Sequence, residues 1–241
     1  MGKYFVPLES NPEVFNELIY SLGVSNELGF HDVYVIDDPD MLAMIPRPVY
    51  ALLMVFPVSD SYEDYRKQND KDLEDDYYNT ISGTPQEDAL WYKQTIGNAC
   101  GTYALLHALG NGVPENAIAA NSPLQRLQEA TKHLNVVQRA QYFESSDELE
   151  KLHASVAERG DTEAPPAEEQ TELHYVCLTK AKGSGDLYEL DGRRKGPIRI
   201  ASLAKDEDLL GPHALQRVKE FLQREGTSAT FSIIALAKNW S

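Results

Sequence analysis

Cysteine is scarce in this chain, and so are basic residues and long apolar runs. Its 241 residues include only two cysteines, Cys100 and Cys177. Two thiols cannot make a disulfide framework, and they point to a reducing compartment. Lys and Arg number 22 against 38 Asp and Glu, a formal charge of −16. Nucleic acid needs cations against its phosphates, so that class of partner is excluded, as is docking on an anionic membrane surface. The longest apolar run, Val49 to Phe56, is far too short to span a bilayer. No basic segment followed by an apolar stretch opens the chain, so no secretory signal is expected. Gly2 follows Met1, but Val6 stands where myristoylation requires Ser or Thr. The expectation is a cytoplasmic monomer, with the nucleus also open to it.

The chain does hold 42% hydrophobic residues, enough for one packed α/β domain spanning residues 1–241. Asn11-Pro12 before Val14, Phe15, Leu18, Ile19 and Leu22, then Gly23, predicts a capped amphipathic helix. Strands are expected at Phe30 to Ile36, Val49 to Phe56, Leu173 to Thr179, Leu187 to Leu190 and Thr230 to Ala237. Further helices are expected from Ser122-Pro123 to about His133, over Asp147 to Glu158, and over Pro212 to Arg224. Two acidic stretches interrupt this pattern. Asp60 to Asp88 holds ten acids against three bases, and Glu144 to Glu172 holds ten against two. Such composition offers little apolar surface to offset ordering entropy. After the Asp147 helix a mobile loop is expected, and a long loop inside a compact domain tends to be functional.

The stretch from Gln94 to Gly110 has no acid, Lys or Arg. After the turn residues Gly97-Asn98, Ala99 to Leu109 is small or apolar all round and reads as a buried central helix. Cys100 would lie in its first turn, where free N–H groups and the helix dipole stabilise a thiolate. Cys177, between Val176 and Leu178, reads as strand packing. A nucleophile needs a base. His107 stands about 10 Å along the same helix and cannot reach Cys100. His31, His133, His153 and His213 read as surface residues. His174 differs: pairing Leu178 with Leu187 in a hairpin sets His174 opposite Asp191. A carboxylate there would fix the imidazole's tautomer and stabilise its cation. Gln94, six residues before Cys100, could donate an amide N–H to an oxyanion beside the Cys100 backbone N–H.

The order Gln, Cys, His, Asp resembles that of the ubiquitin C-terminal hydrolases, cysteine-dependent deubiquitinases. The matching stretches are "QTIGNACGTYALLHALGN", "ELHYVCL" and "LYELDGRRKGPI", with further likeness in "VPLESNPEVFNEL" and "DVYVIDDPDMLAMIPRPVYALLMVFP". The resemblance implies a papain-like α/β (α+β) fold, a central mostly antiparallel sheet flanked by helices, a knotted backbone and an active-site crossover loop at about residues 158–172. It implies Cys100 as nucleophile, His174 as general base and acid, Asp191 as orienter and Gln94 as oxyanion donor. It places substrate binding at Pro7, Leu8, Glu9, Asn11, Thr230 and Phe231. The implied partner is ubiquitin, or a ubiquitin-like modifier, whose small or disordered C-terminal adducts are cleaved through an acyl-thioester on Cys100. A basic tail ending in Gly-Gly suits an acidic protein with a narrow cleft. No cofactor or metal is implied. Two other classes fit the same residues less well: a catalytically silent ubiquitin-binding module, and an acyltransferase using a small acyl donor.

Overall fold

A computed structural model describes residues 2–169, 171–225 and 231–240. Helix α1 (Pro12–Leu22) forms as its punctuation dictates. The Asn11 side chain accepts from the Glu13 N–H, Pro12 occupies the first turn, and Gly23 closes the helix at φ 94°. The strands are β1 (Leu28–Asp32), β2 (Ala51–Pro57), β3 (Leu173–Lys180), β4 (Leu187–Leu190), β5 (Ile198–Ala201) and β6 (Ser232–Lys238). They make one six-stranded sheet in the order β1-β6-β2-β3-β4-β5, with every named pairing antiparallel. The last strand therefore lies between the first two.

Strand β2 is buried on both faces, as its uninterrupted apolar run requires. Its odd residues Ala51, Leu53 and Val55 pack with α1 and α4 (Cys100–Asn111). Its even residues Leu52, Met54 and Phe56 pack with α8 (Pro212–Glu225). The period of two thus sorts one strand between two cores. Helix α4 is buried along its whole length, as an all-apolar helix must be. Between α4 and β3 the chain runs through α5 (Pro123–Thr131), α6 (Val136–Glu144) and α7 (Asp147–Ala157). Among the described residues no helix is long and apolar enough to cross a membrane.

Three expectations change. The first strand is Leu28–Asp32 rather than Phe30 to Ile36: it starts two residues earlier, opposite Lys238, and its last paired residue, Asp32, faces Ile234 near the start of β6. Asp60 to Asp88 is ordered in good part: it forms α3 (Asp60–Asp70) and a 3-10 turn at Tyr77–Thr80. Tyr62 and Tyr78 supply the buried apolar surface that composition alone hid, and Asp70 pairs inside with Arg194. The β3–β4 register is the third. Lys180 pairs with Leu187 and Cys177 with Leu190, two residues away from the pairing expected. A six-residue turn replaces the four-residue one, closed by Ala181 N–H to the Asp186 carbonyl at 2.9 Å, with Gly185 at φ 75°. A slip of two keeps every side chain on its face, although the pairs change: Leu178 now faces Glu189 and Leu187 faces Lys180.

Candidate active site

Cys100 is the first residue of α4, and the cap position before it is Ala99, which offers no side-chain acceptor. The N–H groups of that first turn are therefore left for another acceptor, at the positive end of the helix dipole. The Cys100 side chain is 5% exposed and lines a cleft of about 200 Å³ together with Leu8, Val55, Tyr175 and Leu173. Cys177 is wholly buried in the strand, where loss of solvent pushes its thiol well above the ordinary value. Both cysteines are free, and only Cys100 faces the cleft.

His174 lies near the start of β3, paired with Phe56 of β2. Asp191 follows the last residue of β4, so the true register sets it diagonally across from His174 rather than directly opposite. The contact survives because a diagonal neighbour on the same face is still within reach of long side chains. His174 Nε2 donates to Asp191 Oδ1 at 2.7 Å, which leaves Nδ1 as the nitrogen able to serve Cys100. Burial works against a proton on His174, but the charge and hydrogen bond of Asp191 outweigh it. The Cys100 sulfur adds to that pull, and the imidazolium is held up to about pKa 9. Burial would by itself raise Asp191. The charge of His174 and hydrogen bonds from His174, Tyr62 and the Arg193 N–H instead hold it well below the usual carboxylate range. At neutral pH the arrangement is a carboxylate beside an imidazolium, with the sulfur as the imidazolium's second partner.

The segment before α4 is stitched to the Asp191 turn at two points. Trp91 Nε1 donates to the Asp191 carbonyl at 3.0 Å, and the Gln94 N–H donates to the Gly192 carbonyl at 2.8 Å. A side chain on Gly192 would stand 2.8 Å from the Gln94 Cβ, so the close approach requires glycine there. Gln94 Nε2 donates to the Ile96 carbonyl at 3.2 Å, using one of its two amide protons, while Oε1 is buried without a partner. This fixes the Gln94 amide next to the turn that leads into Cys100.

The N-terminal segment crosses the same region. Phe5 N–H donates to the Gly97 carbonyl and Gly97 N–H to the Lys3 carbonyl, both at 2.9 Å. His153 Nε2 binds the Val6 carbonyl at 2.6 Å, and the Tyr175 hydroxyl donates to the Leu8 carbonyl at 3.1 Å. Pro7, Leu8 and Glu9 consequently line the cleft beside Cys100. Asn11 caps α1 and donates to Asp161 Oδ2 at 3.2 Å instead of lining it. Phe231 stacks on Phe56, whose ring in turn meets His174 edge-on. Thr230 lies outside the described residues. His153 corrects the surface reading: it is 2% exposed, held between Val6 and Thr102. Its polar neighbours in sequence occupy the outer face of α7, which is why its own burial was not legible.

Residues 158–169 and 171–172 run across the cleft, with Gly160, Thr162, Ala164, Pro165 and Thr171 on its wall. The segment is pinned at both ends. Glu9 accepts from the Asp161 N–H at 3.3 Å, the Thr162 N–H at 2.9 Å and the Thr162 hydroxyl at 2.5 Å. Asn98, two residues before Cys100, donates from Nδ2 to the carbonyls of Ala167 (2.8 Å) and Glu169 (2.7 Å). The loop expected to be mobile therefore carries specific ties over the site. Sequence reasoning also missed a second surface. Tyr34, Met44 and Trp240 are largely exposed and line an apolar groove of about 340 Å³ together with Pro12. Groups of three or more His, Cys, Asp or Glu placed to hold a metal are absent among the described residues.

A family model described as "Ubiquitin carboxyl-terminal hydrolase, family 1" matches residues 5–223. A protein named ubiquitin carboxyl-terminal hydrolase 3 from Arabidopsis thaliana is 35% identical over 243 residues, covering 98% of this chain and 95% of its own. A ubiquitin carboxyl-terminal hydrolase from Aplysia californica is 39% identical over 227 residues, covering 92% and 96%. Among solved structures, the UCH37 catalytic domain of Trichinella spiralis, bound to ubiquitin vinyl methyl ester, superposes with a TM-score of 0.74 at 23% identity. That match covers all of this chain and 97% of the other and shows the same fold.

Proposed function

The chain belongs to ubiquitin carboxyl-terminal hydrolase family 1, and from that membership and the geometry of the cleft we propose a thiol-dependent deubiquitinating hydrolase. It cleaves small or disordered adducts from the C-terminal glycine of ubiquitin or a ubiquitin-like modifier. The observation that carries the reading is the His174–Asp191 pair at 2.7 Å, coupled to a cysteine that opens a buried helix at the wall of a cleft.

The chemistry follows from the proton affinities. Asp191, joined by Cys100, raises the proton affinity of His174 to about pKa 9, so the ring takes the Cys100 proton as the sulfur becomes a nucleophile. The sulfur attacks the glycine carbonyl carbon. The developing oxyanion is met by the Cys100 backbone N–H and the second amide proton of Gln94. His174 gives its proton to the leaving amine, and the C–N bond breaks to leave an acyl-thioester. Once the sulfur is acylated, Cys100 no longer supports the imidazolium, so the ring's proton affinity falls. The same ring then takes a proton from water, which attacks the thioester and frees the carboxylate and Cys100.

Specificity rests on the strap formed by residues 158–169 and 171–172. Tied to Glu9 and Asn98, it leaves a passage that a glycine tail can thread and a folded adduct cannot. A formal charge of −16 favours a basic tail. The exposed groove of Tyr34, Met44 and Trp240, which Pro12 also lines, offers an apolar surface for the body of the modifier. Replacing Cys100→Ala tests the reading. The variant is expected to lose all turnover of a ubiquitin C-terminal amide while still binding ubiquitin; residual turnover at the wild-type rate would refute it.

A further inference from the structure

The Asp191 carboxylate has two oxygens, and His174 uses only one. Oδ1 accepts from His174 Nε2 at 2.7 Å and from the Arg193 N–H at 2.9 Å. Oδ2 accepts the hydroxyl of Tyr62 at 2.6 Å, the shortest of the three. Tyr62 is 2% exposed and sits in the first turn of α3, distant in sequence from the other site residues. Its backbone N–H is fixed by the cap of that helix, donating to Ser59 Oγ at 3.0 Å, and Ser59 in turn is bound to Glu225 at the end of α8. The ring is fixed as well: it packs edge-on to Phe56, lies 5.6 Å from the His174 ring, and has the Arg193 guanidinium over it at 5.5 Å.

We propose that Tyr62 is a positioning residue for the reaction, fixing the rotation of the Asp191 carboxylate so that its Oδ1 lone pair stays aligned with His174 Nε2–H. The inference rests on the triad reading given above. A carboxylate held only through Oδ1 can turn about its Cβ–Cγ bond, and each turn misaims the hydrogen bond that sets the imidazole's tautomer. A donor on Oδ2 blocks that turn. Tyr62 is suited to the task because it cannot deprotonate there: burial and the Asp191 charge both hold its proton in place. The donor comes from a buried, packed side chain rather than from solvent, which exchanges.

Tyr62→Phe removes one oxygen and leaves the ring against Phe56, His174 and Arg193. With ubiquitin carrying a fluorogenic amide at its C-terminus, kcat should fall about tenfold with KM unchanged, the scale of one lost hydrogen bond to a charged acceptor. In an Asp191→Asn background the same change should cost nothing further, since there is no carboxylate left to hold. The far-downfield proton resonance of the His174–Asp191 bond should broaden or vanish in Tyr62→Phe. An unchanged kcat in Tyr62→Phe while Asp191→Asn is slow would overturn the positioning role alone, as would losses that multiply in the double variant. A fast Asp191→Asn would overturn the triad and this inference with it.

Discussion

Asn98→Gly should loosen the strap without touching the chemistry. Asn98 sits at φ 57°, a left-handed conformation that glycine adopts without strain, so the substitution subtracts only the carboxamide. That carboxamide makes two hydrogen bonds, to the Ala167 and Glu169 carbonyls. A neutral hydrogen bond contributes about 0.5–1.5 kcal/mol net. One of these two is exposed, so about 1–2 kcal/mol of closure is lost, equivalent to about a 5- to 30-fold larger open population. Glu9 still holds Asp161 and Thr162, so the slack is confined to the second half of the strap. The assay is kcat/KM for ubiquitin fused at its C-terminus to a folded domain, set against a small fluorogenic amide. The ratio should rise by that factor while the small substrate stays within about twofold of wild type. A ratio that does not move would refute the claim that these ties set the passage.

Other consequences are as concrete. His174 is held above its unfolded value of 6.5, so the stability it confers is complete below pH 6.5 and fades as pH rises through about 9. Burial depresses His107 and His153 to about 4, so the unfolded chain takes up protons first and stability falls from pH 6.5 toward 4. Melting temperature should therefore peak near pH 6.5, and His174→Gln should flatten the alkaline decline; a decline that persists in that variant contradicts the assignment. Arg139, fully buried and bidentate to Glu87, should cost about 3–5 kcal/mol when changed to Ala, because a buried carboxylate loses its counter-ion. Urea unfolding measures this, and a change under 1 kcal/mol, roughly the worth of a surface pair, would show that Glu87 is solvated instead.

Much of this architecture was legible because local signals agreed with the global fold. Asn11-Pro12 and Gly23 delimit α1 as expected, and the charge-free run after Asn98 forms a helix buried on every side with Cys100 at its head. The His174–Asp191 contact was legible for a sound reason with a wrong detail. The apolar pattern has a period of two and cannot distinguish registers two apart, and the turn that decides between them depends on Gly185. Tyr62 was not legible, because it sits in a stretch whose ten acids read as solvated and its partner is 129 residues away. The strap's ties were hidden similarly: Asn98 reads as a turn residue, and Glu9 was expected to meet substrate rather than hold Asp161 and Thr162. Composition reports what a segment can bury alone, and these contacts are made with someone else's surface.

The central claim is that Cys100 is the nucleophile, served by His174, at the end of a passage shaped for the ubiquitin tail. Ubiquitin bearing a vinyl methyl ester at its C-terminus tests it in one step. The intact protein should form a one-to-one covalent adduct mapping to Cys100, with Cys177 unmodified and the adduct lost in His174→Gln. No adduct, or one mapped to Cys177, would contradict the account.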